Sequence, residues 1–194
     1  MAYDVLAESV ALIEARRAEP VRRLSRRRRF AAMAVNVAGD VAVSMFARRG
    51  VGRTWKEIHV LALRDGEWTW LGGGASDGHE DLLADRPTVL PSFLGLAGKA
   101  VTGADPRAMV VNGNGGVHDD GDGTGQWPRS GRLINYAEVR VNAQVASVEV
   151  ADRLLFVPWH GCVTVAWLGR QPPRVVALDE GGKAWAETML PSTR

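Results

Sequence analysis

The sequence predicts a mostly β fold, an antiparallel β-sandwich or partly closed barrel preceded by an N-terminal amphipathic helix. Three observations carry this expectation. Apolar residues alternate with period two from residue 31 onward, as on a half-buried strand. Gly39-Asp40 and Asp65-Gly66 stand between alternating runs as hairpin turns. In the last third, turn signals recur every 8 to 12 residues or so, the spacing of a sandwich or barrel. A chain of 194 residues, 46% hydrophobic and 24% charged, can bury a sizeable core without disulfides or a structural metal. Its single cysteine, Cys162, excludes a disulfide framework and any CxxC zinc or redox motif.

Taken in order, residues 3–18 place Leu6, Val10 and Ile13 at helical spacing, with Glu8, Glu14, Arg16 and Arg17 largely elsewhere. Pro20 ends that helix or opens a second short one over Pro20 to Arg29. Met33, Val35 and Val37 alternate before Gly39-Asp40, and Val41, Val43 and Met45 resume after it. The second hairpin has a two-residue loop, so Arg64 should face Glu67, Leu63 face Trp68 and Leu61 face Trp70. Gly72 to Gly74 then lead to Asp77 and Glu80, read as the cap of a short helix carrying Leu82 and Leu83. Residues 89–101 give no clear period. Met109 to Val111 read as a strand, and 112–131, with seven glycines, as a long loop. Val139 to Val150 alternate with one slip of phase near Ala146-Ser147, expected to be a bulge. Strands follow at Leu154 to Val157, Cys162 to Leu168, Arg174 to Leu178 and Lys183 to Glu187. The expected organisation is a helix and basic arm over 1–30 and a β-rich globular domain over 31–194.

The net charge of +2 conceals an asymmetry. Residues 1–30 hold eight arginines against four acids, and the remainder holds sixteen bases against eighteen acids. No stretch has the roughly 18 apolar residues of a spanning helix, and the start lacks the pattern of a signal peptide, so the default expectation is cytoplasmic.

The densest functional signal is Arg22, Arg23, Arg26, Arg27, Arg28 and Arg29, six cations in eight residues, suited to the phosphates of a nucleic acid or to a membrane surface. The same segment reads Arg-Arg-Leu-Ser, the form of a basophilic kinase site at Ser25. A second candidate is the polar run His118, Asp119, Asp120 and Asp122, whose oxygens suit a hard cation; the calcium-loop template is not met, and no metal site is assigned. His59, His79, His118 and His160 have no zinc spacing. His59 reads as a hydrogen-bonded sheet residue, and His160 and Cys162 are too far apart along a strand for a dyad. Glu138 and Glu149 are carboxylates whose meeting the spacing does not require. Trp127 and Trp159 are candidates for an exposed contact surface. No cofactor motif is present: Gly72 to Gly74 lack the lysine and serine of a phosphate loop.

With no catalytic motif readable, the first expectation is a non-enzymatic binding or scaffold module recruiting an anionic or protein partner through the arm. Two alternatives stand beside it. One is a hydrolase using His118 to Asp122 with Glu138 or His160. The other is a structural subunit that self-associates through Leu6, Val10 and Ile13.

Overall fold

The computed structural model describes residues 3–77, 81–97, 99–100, 106–120 and 131–192. It is mostly antiparallel β, with three sheets and one short N-terminal helix.

Helix α1 (Val5–Ala15) starts because Asp4 caps it, its carboxylate accepting from the N–H groups of Leu6 and Ala7. It ends at Arg16, which takes a left-handed conformation and donates its N–H to Leu12 O. The stripe it buries is Ser9, Leu12 and Ile13; Ile13 packs with Ala42 and Leu61, and Val10 is half-buried at its side. Leu6, expected on that stripe, is 41% exposed. The rotation follows from Ser9, whose hydroxyl meets that of Ser44 at 2.9 Å in full burial and so satisfies a polar group inside the interface.

The first sheet is a meander of β1 (Phe30–Ala38), β2 (Val41–Arg49), β3 (Thr54–Arg64) and β4 (Glu67–Asp77). Both expected hairpins form. Asp65 and Gly66 both have positive φ, as the tight turn requires, and the pairs Arg64–Glu67, Leu63–Trp68 and Leu61–Trp70 are in register. β4 runs on to Asp77 where a glycine connection is expected, and Glu80 of the expected helix cap lies outside the described residues. Gly73 explains this: a Cβ there would lie 1.9 Å from Ile58 O, so a close backbone approach, not a loop, requires the glycine. Leu82 and Leu83 are buried, as expected, but on a turn in which Asp81 accepts from Leu83 N–H.

The middle sheet is built from β5 (Leu96–Ala97), β7 (Met109–Asp119), β8 (Arg132–Val141) and β11 (Cys162–Leu168), in the order β11-β8-β7-β5. The outer sheet is built from β6 (Lys99–Ala100), β9 (Ser147–Val150), β10 (Arg153–Phe156), β12 (Arg174–Leu178) and β13 (Ala184–Met189), in the order β10-β9-β12-β13-β6. The loop expected over 112–131 is therefore strand as far as Asp119, and residues 121–130 of it lie outside the described residues. Gly115 is a strand glycine because Tyr136 lies across it; a Cβ there would meet the phenol oxygen at 2.4 Å. The slip near Ala146-Ser147 is a change of sheet and not a bulge. Asn142 turns the chain between β8 and β9, accepting from Gln144 N–H and donating to Thr88 O.

Alternation along β8 builds two cores. Ile134 faces the first sheet, packed with Met33, Val43 and Val60. Ala137, Val139 and Val141 face the outer sheet, packed with Val148, Val175 and Ala186. The layers are thus helix, first sheet, middle sheet and outer sheet. No helix among the described residues is long and apolar enough to cross a membrane.

Candidate functional site: a basic face

After α1 the chain is extended, and the second short helix expected over Pro20 to Arg29 does not form. Val21 is buried beside the first core and Leu24 is partly buried there, which pins the segment by its apolar residues and turns its arginines outward. Ser25 and Arg28 close a turn: Ser25 N–H donates to Arg28 O at 2.8 Å, and Arg28 N–H donates to Ser25 Oγ at 3.0 Å. Arg49 N–H then donates to Arg29 O at 2.7 Å and hands the chain to β1.

That last bond brings a second group of cations to the arm. Residues 50–53 join β2 to β3, with Gly50 N–H donating to Arg53 O at 2.9 Å and the Arg53 guanidinium 5.2 Å from the Trp55 ring centre. Arg48, Arg49 and Arg53 therefore join Arg22, Arg23, Arg26 and Arg29 of the arm, while Arg27 and Arg28 line the adjoining groove beside α1 together with Arg26 and Arg29. Arg22 pairs with Asp85 at 2.9 Å, Arg48 with Glu57 at 2.5 Å and Arg53 with Asp77 at 2.5 Å. Arg23, Arg26 to Arg29 and Arg49 are exposed and make no ion pair among the described residues. Surface clefts open among these arginines, and the one beside α1, of about 940 Å³, is lined by Arg17 and Arg26 to Arg29 with Glu8 and Glu19. A second, of about 530 Å³, is lined by Arg26, Arg29, Arg48, Arg49, Gly50 and Val51. Another, of about 440 Å³, includes Arg22, Arg23, Arg49 and Arg53 with Asp81. The arm was legible in the sequence; the second group was missed. Its signal was the first hairpin, whose register carried outward from Gly39-Asp40 places Arg48 opposite Ala31, beside the arm; a bulge at Met33 shifts the pairing by one, to Phe30.

The polar run at 118–122 is arranged differently. Burial opposes the charge of Asp119, but hydrogen bonds from Arg64 and Arg132 outweigh it and hold the carboxyl below the usual range. Arg132 also reaches Asp40 at 2.6 Å. His118 and Asp120 are half-buried, and Asp122 lies outside the described residues. No group of three metal-ligating side chains occurs among the described residues.

Glu138 is buried in the first core on Lys56 and accepts from Asn112 Nδ2 at 3.0 Å, whereas Glu149 lies on β9 on the side opposite the buried Val148 and Val150, so the two carboxylates do not meet. Asp119 stands opposite Arg132 and Gly113 opposite Glu138, which separates the two acids by roughly 20 Å along β8 at about 3.4 Å per residue. His160 lies further along again, next to Cys162, which pairs with Arg140. Both of its ring nitrogens are engaged: Nε2 with Met33 O at 3.1 Å, and Nδ1 accepting Cys162 N–H at 3.0 Å. Burial first, with Arg140 and Arg86 adding to it, depresses its pKa to about 4. Burial likewise pushes the Cys162 thiol up to about 12 despite a hydrogen bond from Arg140. A thiol held neutral beside an imidazole that binds a backbone amide is not a nucleophile with its base.

His59, expected as a hydrogen-bonded sheet residue, meets the Tyr3 hydroxyl at 3.0 Å, and burial lowers its pKa against the opposing charge of Glu57. Trp159 is half-buried, donates to Leu83 O at 3.0 Å and packs edge-on against His160, so it is a structural residue and not an open contact; Trp127 lies outside the described residues. No family profile, curated protein or solved structure matches this chain.

Proposed function

We propose that the chain is a non-enzymatic binding module that recruits a phosphate-bearing anionic partner through its basic face. The observation that carries this reading is the convergence of Arg48, Arg49 and Arg53 on the arm, which turns a run of sequence into a surface. Exposed guanidiniums without acidic partners repel one another across distances shorter than the Debye length of about 8 Å at physiological salt, and a polyanion relieves that repulsion. Arginine also offers paired donors that match phosphate oxygens. The hydrolase reading lacks support from geometry, since Asp119 on β7, Glu138 on β8 and His160 before β11 are spread along the middle sheet and each is engaged elsewhere. Self-association through α1 is less favoured, because Ile13 is already buried inside its own molecule.

The test is retention of the full chain on an immobilised polyanion as salt rises from about 50 to 200 mM, the range over which phosphate binding weakens steeply. Substitution is preferable to truncation at residue 31, which would strip α1 from Ala42 and Leu61. Replacing Arg26, Arg27, Arg28 and Arg29 by serine should bring elution to lower salt, and replacing Arg49 and Arg53 should do the same. For every phosphate that a variant no longer neutralises, the salt slope should flatten by about 0.9. Retention that neither set alters would remove the proposal.

A further inference from the structure

The cleft of about 530 Å³ differs from its neighbours in having no acidic residue in its lining, whereas Asp81 lines the cleft of Arg22, Arg23, Arg49 and Arg53, and Glu8 and Glu19 line the groove of Arg26 to Arg29 along α1. Arg26 comes from the tip of the Ser25–Arg28 turn, Arg29 from the residue entering β1, and Arg48 and Arg49 from the end of β2. Both sides are anchored by backbone hydrogen bonds, Ser25 to Arg28 and Arg49 to Arg29, so the spacing between the turns is set by the fold. Of the four guanidiniums, Arg48 alone is paired, and it uses Nε for Glu57, leaving both Nη groups without a partner among the described residues. The cleft volume falls in the range of small-molecule sites, about 300–1,000 Å³.

From this geometry we infer that the Arg26, Arg29, Arg48 and Arg49 cleft is a discrete site for a terminal phosphate group, a phosphomonoester or pyrophosphate, carried by a small molecule or a lipid head group. The inference rests on the reading of this face as anion-binding and narrows it. Four cations against one carboxylate leave about three positive charges around one cleft. A phosphodiester brings a single negative charge per unit and spreads its charges along a chain, whereas a terminal phosphate concentrates −1.5 to −2, roughly, and offers three acceptor oxygens. Guanidinium forks on several residues around one cleft can share those oxygens. The rim adds Val51, 98% exposed between two glycines, an apolar side chain next to the cations. A lipid-borne phosphate would give it a place to insert, whereas a free phosphate would leave it in water.

The probes are inorganic pyrophosphate by titration calorimetry, and vesicles of neutral lipid containing either phosphatidate, a monoester, or phosphatidylglycerol, a diester, by co-sedimentation. Pyrophosphate should bind with 1:1 stoichiometry at about 150 mM salt. Arg26→Gln and Arg49→Gln should each weaken it about tenfold or more, as expected when one charge-assisted bidentate pair is removed. Arg23→Gln, outside the cleft, should change it less than twofold. If the source is a lipid, phosphatidate vesicles should sediment the chain better than phosphatidylglycerol ones, and Val51→Ser should weaken that alone. Equal losses for Arg23→Gln and the cleft variants would overturn the discrete site. So would the absence of pyrophosphate and phosphatidate binding in a chain still held by the polyanion column, an outcome that leaves the broader reading standing. Failure on the column as well would remove both.

Discussion

Ser9 and Ser44 illustrate how a single polar contact decides the seating of α1. Their hydroxyls lie 2.9 Å apart with no solvent exposure, so each is the other's replacement for water. Ser44→Ala should cost about 1–3 kcal/mol in urea denaturation, because it strands the Ser9 hydroxyl, and the double variant Ser9→Ala, Ser44→Ala should cost less than the sum of the two single changes. Strict additivity would show that the pair is not coupled. His160 gives a second test at the same scale. As a neutral ring it donates through Nε2 to Met33 O and accepts Cys162 N–H at Nδ1, so protonation would set two donors against each other. Its folded pKa of about 4 lies below the ordinary value of 6.5, so the unfolded chain binds the extra proton first. The stability that this neutral ring provides is complete above pH 6.5 and is lost as pH falls toward 4, by up to about 3 kcal/mol. His160→Asn should be less stable than the parent at pH 7, with a gap that narrows as pH drops through that window. A gap that stays constant would place the acid sensitivity elsewhere.

Among the elements, β7 depends most on residues that look unsuited to a strand. Gly115 sits beneath Tyr136, and an added Cβ would meet three side-chain atoms at 2.4, 2.5 and 2.9 Å. Gly115→Ala should therefore lower stability by about 1–3 kcal/mol through overpacking, and much of that loss should vanish in the background Tyr136→Ala, where the ring is gone. An equal penalty in both backgrounds would trace the cost to backbone conformation instead. The same pair shows where sequence reading works. Both early hairpins were legible because turn residues and cross-strand pairs lie within a few positions of each other, and the β11 and β12 bounds followed from short apolar runs between glycine and proline turns. β7 was not, because Tyr136, the partner that makes Gly115 necessary, is about twenty residues away. The missed path of 139–150 has the same cause: a strand that changes sheet keeps its alternation, and Asn142 marks the corner through its bond to Thr88, far along the chain. At the candidate site, the six arginines of the arm were visible as a run, while Arg48, Arg49 and Arg53 became part of it through pairing across a hairpin.

For the whole molecule, the middle sheet is the shared wall of two cores, and this arrangement ties the basic face to the rest of the structure. The arm and the β2–β3 turn are mounted on the first sheet, which packs on the middle sheet through Ile134, while Met109 on the neighbouring strand faces the outer sheet. Both side chains have no solvent exposure, so Ile134→Ala and Met109→Ala should each cost about 2–5 kcal/mol. With a common wall neither half can lose its packing without exposing the other, so both variants should shift one cooperative transition seen alike by far-ultraviolet circular dichroism and by tryptophan fluorescence. The fluorescence reads both halves, since Trp68 packs under α1 on the first sheet and Trp167 and Trp185 belong to the second core. Two separated transitions, with Ile134→Ala moving one and Met109→Ala the other, would mean that the first sheet and its helix melt as a unit of their own. In that event anion binding would follow whichever transition Ile134→Ala moves, since the arginine clefts are mounted on the first sheet; with a single transition, binding and global folding should disappear together.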